Sequence, residues 1–407
     1  MMHIQAGCVA AAMLAATGPA CAATETVVYS FKGGDDGAKP GAGLINVGGT
    51  LYGTTLSGGG LEKCSVSAPR DGCGTVFSVT PTGAETIVYS FIGGKHRAGA
   101  GGAMPSGLIE VGGVLYGTTS SFGGSANCSG GCGTVFSVTP AGAETVVYSF
   151  TGEPDGAFPE AGLKDVKGNL YGTTFRGGGA GNFGTVFSVT PAGTESVVYS
   201  FKGGSDGANP ETGLINLGGT MYGTTEYGGG SANCANGCGS VFAVTRAGAE
   251  TLVYSFKGEP DGAHAAASLI NVKGTLYGTT YAGGGVGNYG TVFSVTPAGA
   301  EKVLYSFKGG TDGASPEARL IDLGGALYGT TAEGGGAGCS GIGCGTVFKV
   351  TKAGAETVLY SFKGGNDGST PFGGLIKVGG ALYGVTIRGG RSDCDDAGCG
   401  TVFTVTP

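Results

Sequence analysis

The residues of this sequence that could do chemistry are few, and most of them recur at fixed intervals. Ten cysteines stand in five local pairs: Cys64 with Cys73, Cys128 with Cys132, Cys234 with Cys238, Cys339 with Cys344, and Cys394 with Cys399. A zinc site takes four ligands, and no loop offers a second pair or a histidine beside its cysteines, so no metal centre is expected. Cysteines present or absent strictly as pairs read instead as disulfides of an exported protein. Their expected role is to hold long glycine-rich loops in one shape. An Asp-Gly step recurs at Asp36, Asp155, Asp206, Asp261, Asp312 and Asp367. Calcium needs several oxygens converging on one point, whereas one aspartate per interval suits a turn closed by its own carboxylate. Glutamate recurs too, at Glu85, Glu144, Glu195, Glu250, Glu301 and Glu356, too regularly to mark a single site. No G-x-S-x-G elbow is present and histidine is scarce, which leaves serine-hydrolase chemistry without support. No cofactor is expected.

The candidates for a site are the polar residues that break the repetition. A glycine precedes a repeated Leu at Gly43, Gly107, Gly162, Gly213 and Gly374, but Ser268 and Arg319 take that place in two copies. Just after a repeated Leu/Met-Tyr-Gly-Thr/Val-Thr run come Arg176, Glu226, Tyr227, Tyr281, Glu333 and Arg388; His264 completes a possible belt. One reading pairs them locally, Arg319 with Glu333 for instance. The other makes them a binding site for carbohydrate or an acidic glycan, with Arg319 offering a bidentate donor to a carboxylate. A polysaccharide lyase could use the same residues, Tyr281 or His264 moving a proton while Arg319 or Arg388 neutralises a uronate. A surface scaffold without a small ligand is the third alternative.

Short strands must position these residues. The tyrosine of the Leu/Met-Tyr-Gly-Thr/Val-Thr run recurs at Tyr52, Tyr116, Tyr171, Tyr222, Tyr277, Tyr328 and Tyr383, spaced 64, 55, 51, 55, 51 and 55 residues apart. Each copy holds four β-like runs rich in Val, Ile, Thr, Tyr and Phe, separated by Gly-rich turns. In the fourth copy the spacing predicts strands over Gly213–Leu217, Thr220–Thr225, Ser240–Thr245 and Glu250–Phe256. Four strands per unit of about 50 residues is the signature of a propeller blade. A lone fourth strand, Glu25–Phe31, opens the sequence and a third strand, Gly400–Thr406, closes it. The reading is an all-β, seven-bladed propeller of four-stranded blades, closed by the N-terminal strand completing the last blade, which removes an open edge.

Length variation is concentrated in the loops joining strand two to three, on the face that also carries the loops from strand four to the next strand one. Loops on one rigid face commonly carry function. The opposite face holds uniform turns such as Gly48-Gly49 and Pro140–Ala143, and the repeated glutamates are assigned to it. Eight aromatics fall outside the repeat, at Phe122, Phe158, Phe175, Phe183, Tyr227, Tyr281, Tyr289 and Phe372, and all map to the loop face. Phe183 and Tyr289 stand where other copies place a cysteine and are expected to plug that space.

The full pattern, LYGTT…GG…GTVFSVTPAGAETVVYSFKGG.DGA.P.AGLI.VGG, resembles the GloVer tandem repeat of choice-of-anchor surface proteins, over residues 24–407. The resemblance implies an exported bacterial β-propeller with no assigned chemistry. Nothing follows the last strand, so the variable C-terminal anchor of that family is not expected. Kelch blades are similar in unit length, but their tryptophans are missing.

Composition narrows the alternatives. Glycine supplies 91 of 407 residues without collagen's period of three, and 40% apolar content is enough for a core. A net charge of −7 with scattered basic residues argues against nucleic-acid binding. No apolar run after the N-terminus approaches the roughly 20 residues of a membrane span. Residues 1–23 read as a signal peptide, apolar from Ala6 to Ala16 with small residues at Ala20-Cys21-Ala22, leaving 24–407 as the propeller. A secreted, periplasmic or cell-surface monomer that meets an extracellular glycan or surface protein is the expectation.

Overall fold

The computed structural model describes residues 23–60, 64, 72–93, 102–123, 125, 127–391, 394 and 397–407. The proposed signal peptide and the basic Lys95-His96-Arg97 excursion therefore lie outside the described residues, Ala23 of the former excepted.

Seven four-stranded antiparallel blades form the chain, with two of them extended by one short extra strand. Blade four shows the pattern: Ile215–Leu217, Thr220–Thr225, Ser240–Thr245 and Glu250–Ser255, paired in that order. The inner hairpin turns through Gly218 and Gly219, both at positive φ (63° and 94°), as a two-residue turn matched to strand twist requires. Gly223 within the second strand has another reason. A Cβ there would lie 2.6 Å from the Phe242 ring and 2.9 Å from Leu214, so the core ring packs against bare backbone.

The ring closes as the spacing predicts. Thr24–Ser30 pairs antiparallel with Thr401–Thr406, from Thr24 opposite Thr406 to Ser30 opposite Thr401. Between blades the Phe of each outer strand meets the Phe of the next blade's third strand edge-to-face. Phe31 and Phe77 are 5.0 Å apart and Phe362 and Phe403 also 5.0 Å, so both junctions of blade seven match the rest. Such edge-to-face pairs add to the area they bury, and all four rings are almost fully buried.

Each blade also carries a register shift between third and outer strands, falling between Val241 and Phe242 in blade four. A bulge increases local twist. The outer strand therefore ends near the start of the next blade's outer strand, and two groups assigned to opposite faces meet there. Asp206 accepts the Tyr199 hydroxyl (2.6 Å) and the Lys202 amide (2.7 Å), closing the loop after the outer strand as the Asp-Gly reading required. Asp36, Asp155, Asp261, Asp312 and Asp367 do the same. The repeated glutamates, expected among the uniform turns, reach these aspartates across the junctions, Glu144 excepted. Glu85 meets Asp36 and Tyr29, Glu250 meets Asp206, and Glu25 of the first strand meets Asp367 and Tyr360.

The cysteines pair as their spacing predicts: Cys64 with Cys73, Cys128 with Cys132, Cys234 with Cys238, Cys339 with Cys344, and Cys394 with Cys399. Cα separations of 5.1 to 5.3 Å put each pair at disulfide distance within its own loop. Beyond closing its loop, each pair contributes one member to the core. Cys73, Cys132, Cys238, Cys344 and Cys399 are almost fully buried and belong to the apolar clusters that fill the blade junctions. The physical reason is their place one residue before the Gly that leads into the third strand, where the chain has already entered the core. Each bridge therefore ties a surface loop to a junction. The sulfurs of Cys339 and Cys344 lie over Gly364, those of Cys64 and Cys73 over Gly93. In the two blades without cysteine, the Phe183 and Tyr289 rings cover the equivalent Gly203 and Gly309. The substitution of ring for disulfide is therefore spatial as well as sequential.

Candidate functional site

The loop before each inner strand is held by the blade preceding it. Hydroxyls of the second strands reach across: Thr118 to the Ala161 carbonyl (2.9 Å), Thr173 to Thr212 (3.0 Å) and Thr224 to Ala265 (2.9 Å). The residue before the repeated Leu faces the axis. There Gly43 lies against Gly374, Gly107 against Gly162, and Gly374 against Arg319, with a Cβ at Gly374 only 3.2 Å from the Arg319 Cβ. Ser268 fits the same ring by accepting the Gly213 amide at 2.9 Å. Over this ring, on the loop face, opens a cavity of about 750 Å³.

Its walls differ in chemistry. Blades three to six contribute Glu160, Glu211, Glu226, His264, Tyr281, Glu317 and Arg319. Opposite them stand Leu56, Met104 and Phe372, with Met104 and Phe372 well exposed. Four of the eight residues singled out by sequence therefore converge: Arg319, His264, Tyr281 and Glu226. The other four, Arg176, Tyr227, Glu333 and Arg388, do not line the cavity. Side chains alternate along an extended chain, and these four stand one residue beyond the position held by Glu226 and Tyr281. Backbone bridges of Arg176 to Ala157, Tyr227 to Ala208 and Glu333 to Ala314 keep that register past the strand end. Tyr227 supports the site indirectly, its ring edge-to-face with His264 at 5.3 Å. The His264 Nδ1 lies 3.1 Å from the Glu226 carbonyl oxygen, which fixes the ring.

The expected Arg319–Glu333 ion pair does not form among the described residues. Arg319 turns to the axis, and Glu333 accepts the Ser315 hydroxyl at 3.5 Å on the other side of its strand. The guanidinium is open to the water of the cavity but enclosed by its walls, and this burial lowers its pKa.

Sequence reasoning missed Glu160, Glu211 and Glu317. Each stands three residues before the repeated Leu, where other blades place Gly41, Pro105, Ala266 and Phe372, and all seven line the cavity. A signal was available: positions one and three before that Leu share a face in extended chain. Burial pushes the Glu211 carboxyl up to about 8, helped by Glu226, Glu160 and Glu317. Burial and Glu333 raise Glu317 to about 7. Glu160 rises to about 6 through burial and Glu226, against the pull of Arg176. Near neutral pH the wall thus offers carboxylic acids as donors beside carboxylates as acceptors. Among the described residues no cluster of three or more potential ligands could hold a metal.

Residues 16–235, 123–343 and 230–407 each match the Gloeobacter/Verrucomicrobia repeat. The chain belongs to this family. As a Gloeobacter/Verrucomicrobia repeat protein it carries its units as whole blades, in the number and order read from the tyrosine spacing. No curated protein is significantly similar to it in sequence. Among solved structures, the extracellular domain of the hybrid two-component system BT4673 from B. thetaiotaomicron is 11% identical with a TM-score of 0.55, covering 94% of this chain and 42% of that one. The computationally designed Ika8 protein is 13% identical (TM-score 0.49; 92% and 98% covered). The PQQ-bound aldose sugar dehydrogenase from Streptomyces coelicolor is 12% identical (TM-score 0.47; 96% and 99% covered). These likenesses are of fold alone.

Proposed function

We propose that this is an exported binding propeller whose axial cavity takes a carbohydrate of no net negative charge. The observation that carries the reading is the two-sided cavity. One wall presents four glutamates with Arg319, His264 and Tyr281; the facing wall presents Phe372, Met104 and Leu56. A sugar has hydroxyls that both donate and accept, and C–H faces that pack on apolar surface. Its hydroxyls would find carboxylate acceptors, protonated Glu211 and the Arg319 donors, while a C–H face lies on Phe372 or Tyr281. The volume falls within the range of small-molecule sites. Four carboxyl groups outnumber the cations of Arg319 and Lys164 and the His264 imidazole in the lining, which turns the reading away from the uronate that Arg319 alone suggested, because an added carboxylate would meet like charge. Five cysteine pairs at disulfide distance favour an oxidising compartment, and no helix among the described residues is long and apolar enough to cross a membrane.

Calorimetric titration with uncharged, amino and uronic-acid oligosaccharides tests the reading. Binding of the first two classes with Glu211→Gln weakening it supports the proposal; binding of uronates alone, abolished in Arg319→Gly, would replace it with the anionic alternative. A carboxyl raised to about 8, Glu211, beside a second carboxyl group, Glu226, is also the arrangement of a glycan-cleaving enzyme. The same samples are therefore assayed for new reducing ends and unsaturated products.

A further inference from the structure

Outside the cavity, the most repeated chemistry in the molecule is a pairing of two acids at the blade junctions. At the junction of blades seven and one, both oxygens of Asp36 are engaged, Oδ1 by the Tyr29 hydroxyl (2.5 Å) and Oδ2 by the Lys32 amide (2.7 Å). Two such donors satisfy both oxygens of the carboxyl group. Glu85 approaches from the next outer strand with Oε1 buried and without a partner. Ionised, it would bring a second negative charge to Asp36 and leave that oxygen bare. Protonated, it can donate to Asp36 and satisfy both groups. Oε1 is buried and unpartnered in the same way at Glu25, Glu144, Glu195, Glu250, Glu301 and Glu356, that is, at every junction.

We propose that six of the seven blade junctions are acid latches, Glu–Asp carboxyl pairs that hold one proton between them, so that the ring tightens in acid and loosens as the protons leave. The groups facing these pairs are few. A lysine lies over the tyrosine ring at five junctions, Lys32, Lys202, Lys257, Lys308 and Lys363, at 5.5 to 5.8 Å from the centroid. It offsets part of the repulsion without entering the pair. Blade three has Thr151 instead, whose amide and hydroxyl both donate to Asp155. The seventh junction is a built-in comparison: blade two has Lys95-His96-Arg97 in place of Asp-Gly, and Tyr89 donates directly to Glu144 at 3.3 Å.

The electrostatics run in the same direction. Burial first, then the facing aspartate, raises Glu25, Glu85, Glu195, Glu250, Glu301 and Glu356 to about 7. At Glu144 burial raises the carboxyl while the Tyr89 hydrogen bond opposes it. An unfolded glutamate titrates near 4.3. The folded ring therefore binds more protons than the unfolded chain between roughly pH 4.3 and 7, and stability falls as pH rises across that window.

The test is thermal melting of the full chain from pH 4.5 to 9, beside a variant carrying Glu85→Gln, Glu195→Gln, Glu250→Gln and Glu301→Gln. The wild type should lose several degrees as pH rises from about 4.5 to 7 and then level off, and the variant should lose much less of that fall. Cavity glutamates also titrate high, so a variant carrying Glu160→Gln, Glu211→Gln and Glu317→Gln is the control and should keep most of the slope. Equal slopes in the wild type and the junction variant would overturn the proposal, as would a slope that vanishes only in the cavity control. Should the junction variant not fold, carboxyl-selective ¹³C NMR titration of the wild type decides. Six side-chain glutamate carboxyls beyond the cavity's three should titrate near pH 7; titration of all of them below pH 5 would refute the latch.

Discussion

At the residue scale, the cavity shows what a repeat discloses and what it hides. Arg319, His264, Tyr281 and Glu226 were legible because each departs from its repeat position. Glu160, Glu211 and Glu317 were not, because three similar Pro-Glu steps in seven copies resemble the repeat itself. Arg176, Tyr227, Glu333 and Arg388 were grouped with the site by closeness along the chain, and the alternation of extended backbone carries them to the other side. Restoring the consensus glycine in Arg319→Gly should therefore leave the fold intact, since five of the seven blades have glycine there and no ion pair is lost; an unchanged melting curve checks it. Gly223→Ala is the opposite case. The added methyl would press on Phe242 and Leu214, and overpacking of this kind costs about 1–3 kcal/mol, to be read as a lower urea midpoint with unchanged slope.

At the scale of the element, nearly all of the blade was readable, because strand, turn and glycine signals agree in seven copies. Blade four departs from its predicted strand limits only at the start of its first strand, Gly213 and Leu214, and at the end of its last, Phe256. What sequence could not show was the consequence of the bulge between third and outer strands. Twist there places the start of one outer strand against the end of another, so glutamates assigned to the turn face close the junctions. Nor did loop spacing show that Cys73, Cys132, Cys238, Cys344 and Cys399 sit in the core, since pairing and burial leave separate marks on a sequence. The loops of the other face lend themselves to a direct check. Mass mapping of non-reduced peptides should find five bridges, each within one strand two–three loop and none between blades. Each closes only 4 to 9 residues of chain, a stabilisation of about 2 kcal/mol apiece from chain entropy for the shorter ones. Reduction should accordingly lower the melting temperature modestly and leave the β-sheet circular dichroism in place.

For the whole molecule, closure and cavity depend on each other. All seven blades contribute to the ring beneath the cavity, six with Gly or Ser and blade six with Arg319, so the site exists only while the propeller is shut. Deleting Thr24–Phe31 would remove the outer strand of blade seven, expose the Thr401–Thr406 edge and leave Phe77 without its facing ring. Aggregation or a large fall in melting temperature is expected, and a deletion variant melting like the parent would mean that the ring closes differently. The binding claim is tested most directly by filling the cavity without disturbing that ring. Ala266 lines it at the position where blade seven carries Phe372, so Ala266→Trp should fold normally and occupy the ligand's space. Titrated with whichever uncharged or amino oligosaccharide the wild type binds, it should show affinity at least about a hundredfold weaker, ~2.7 kcal/mol, with an unchanged melting curve. Undiminished affinity in Ala266→Trp would contradict the account, because the ligand would then bind somewhere other than the axial cavity.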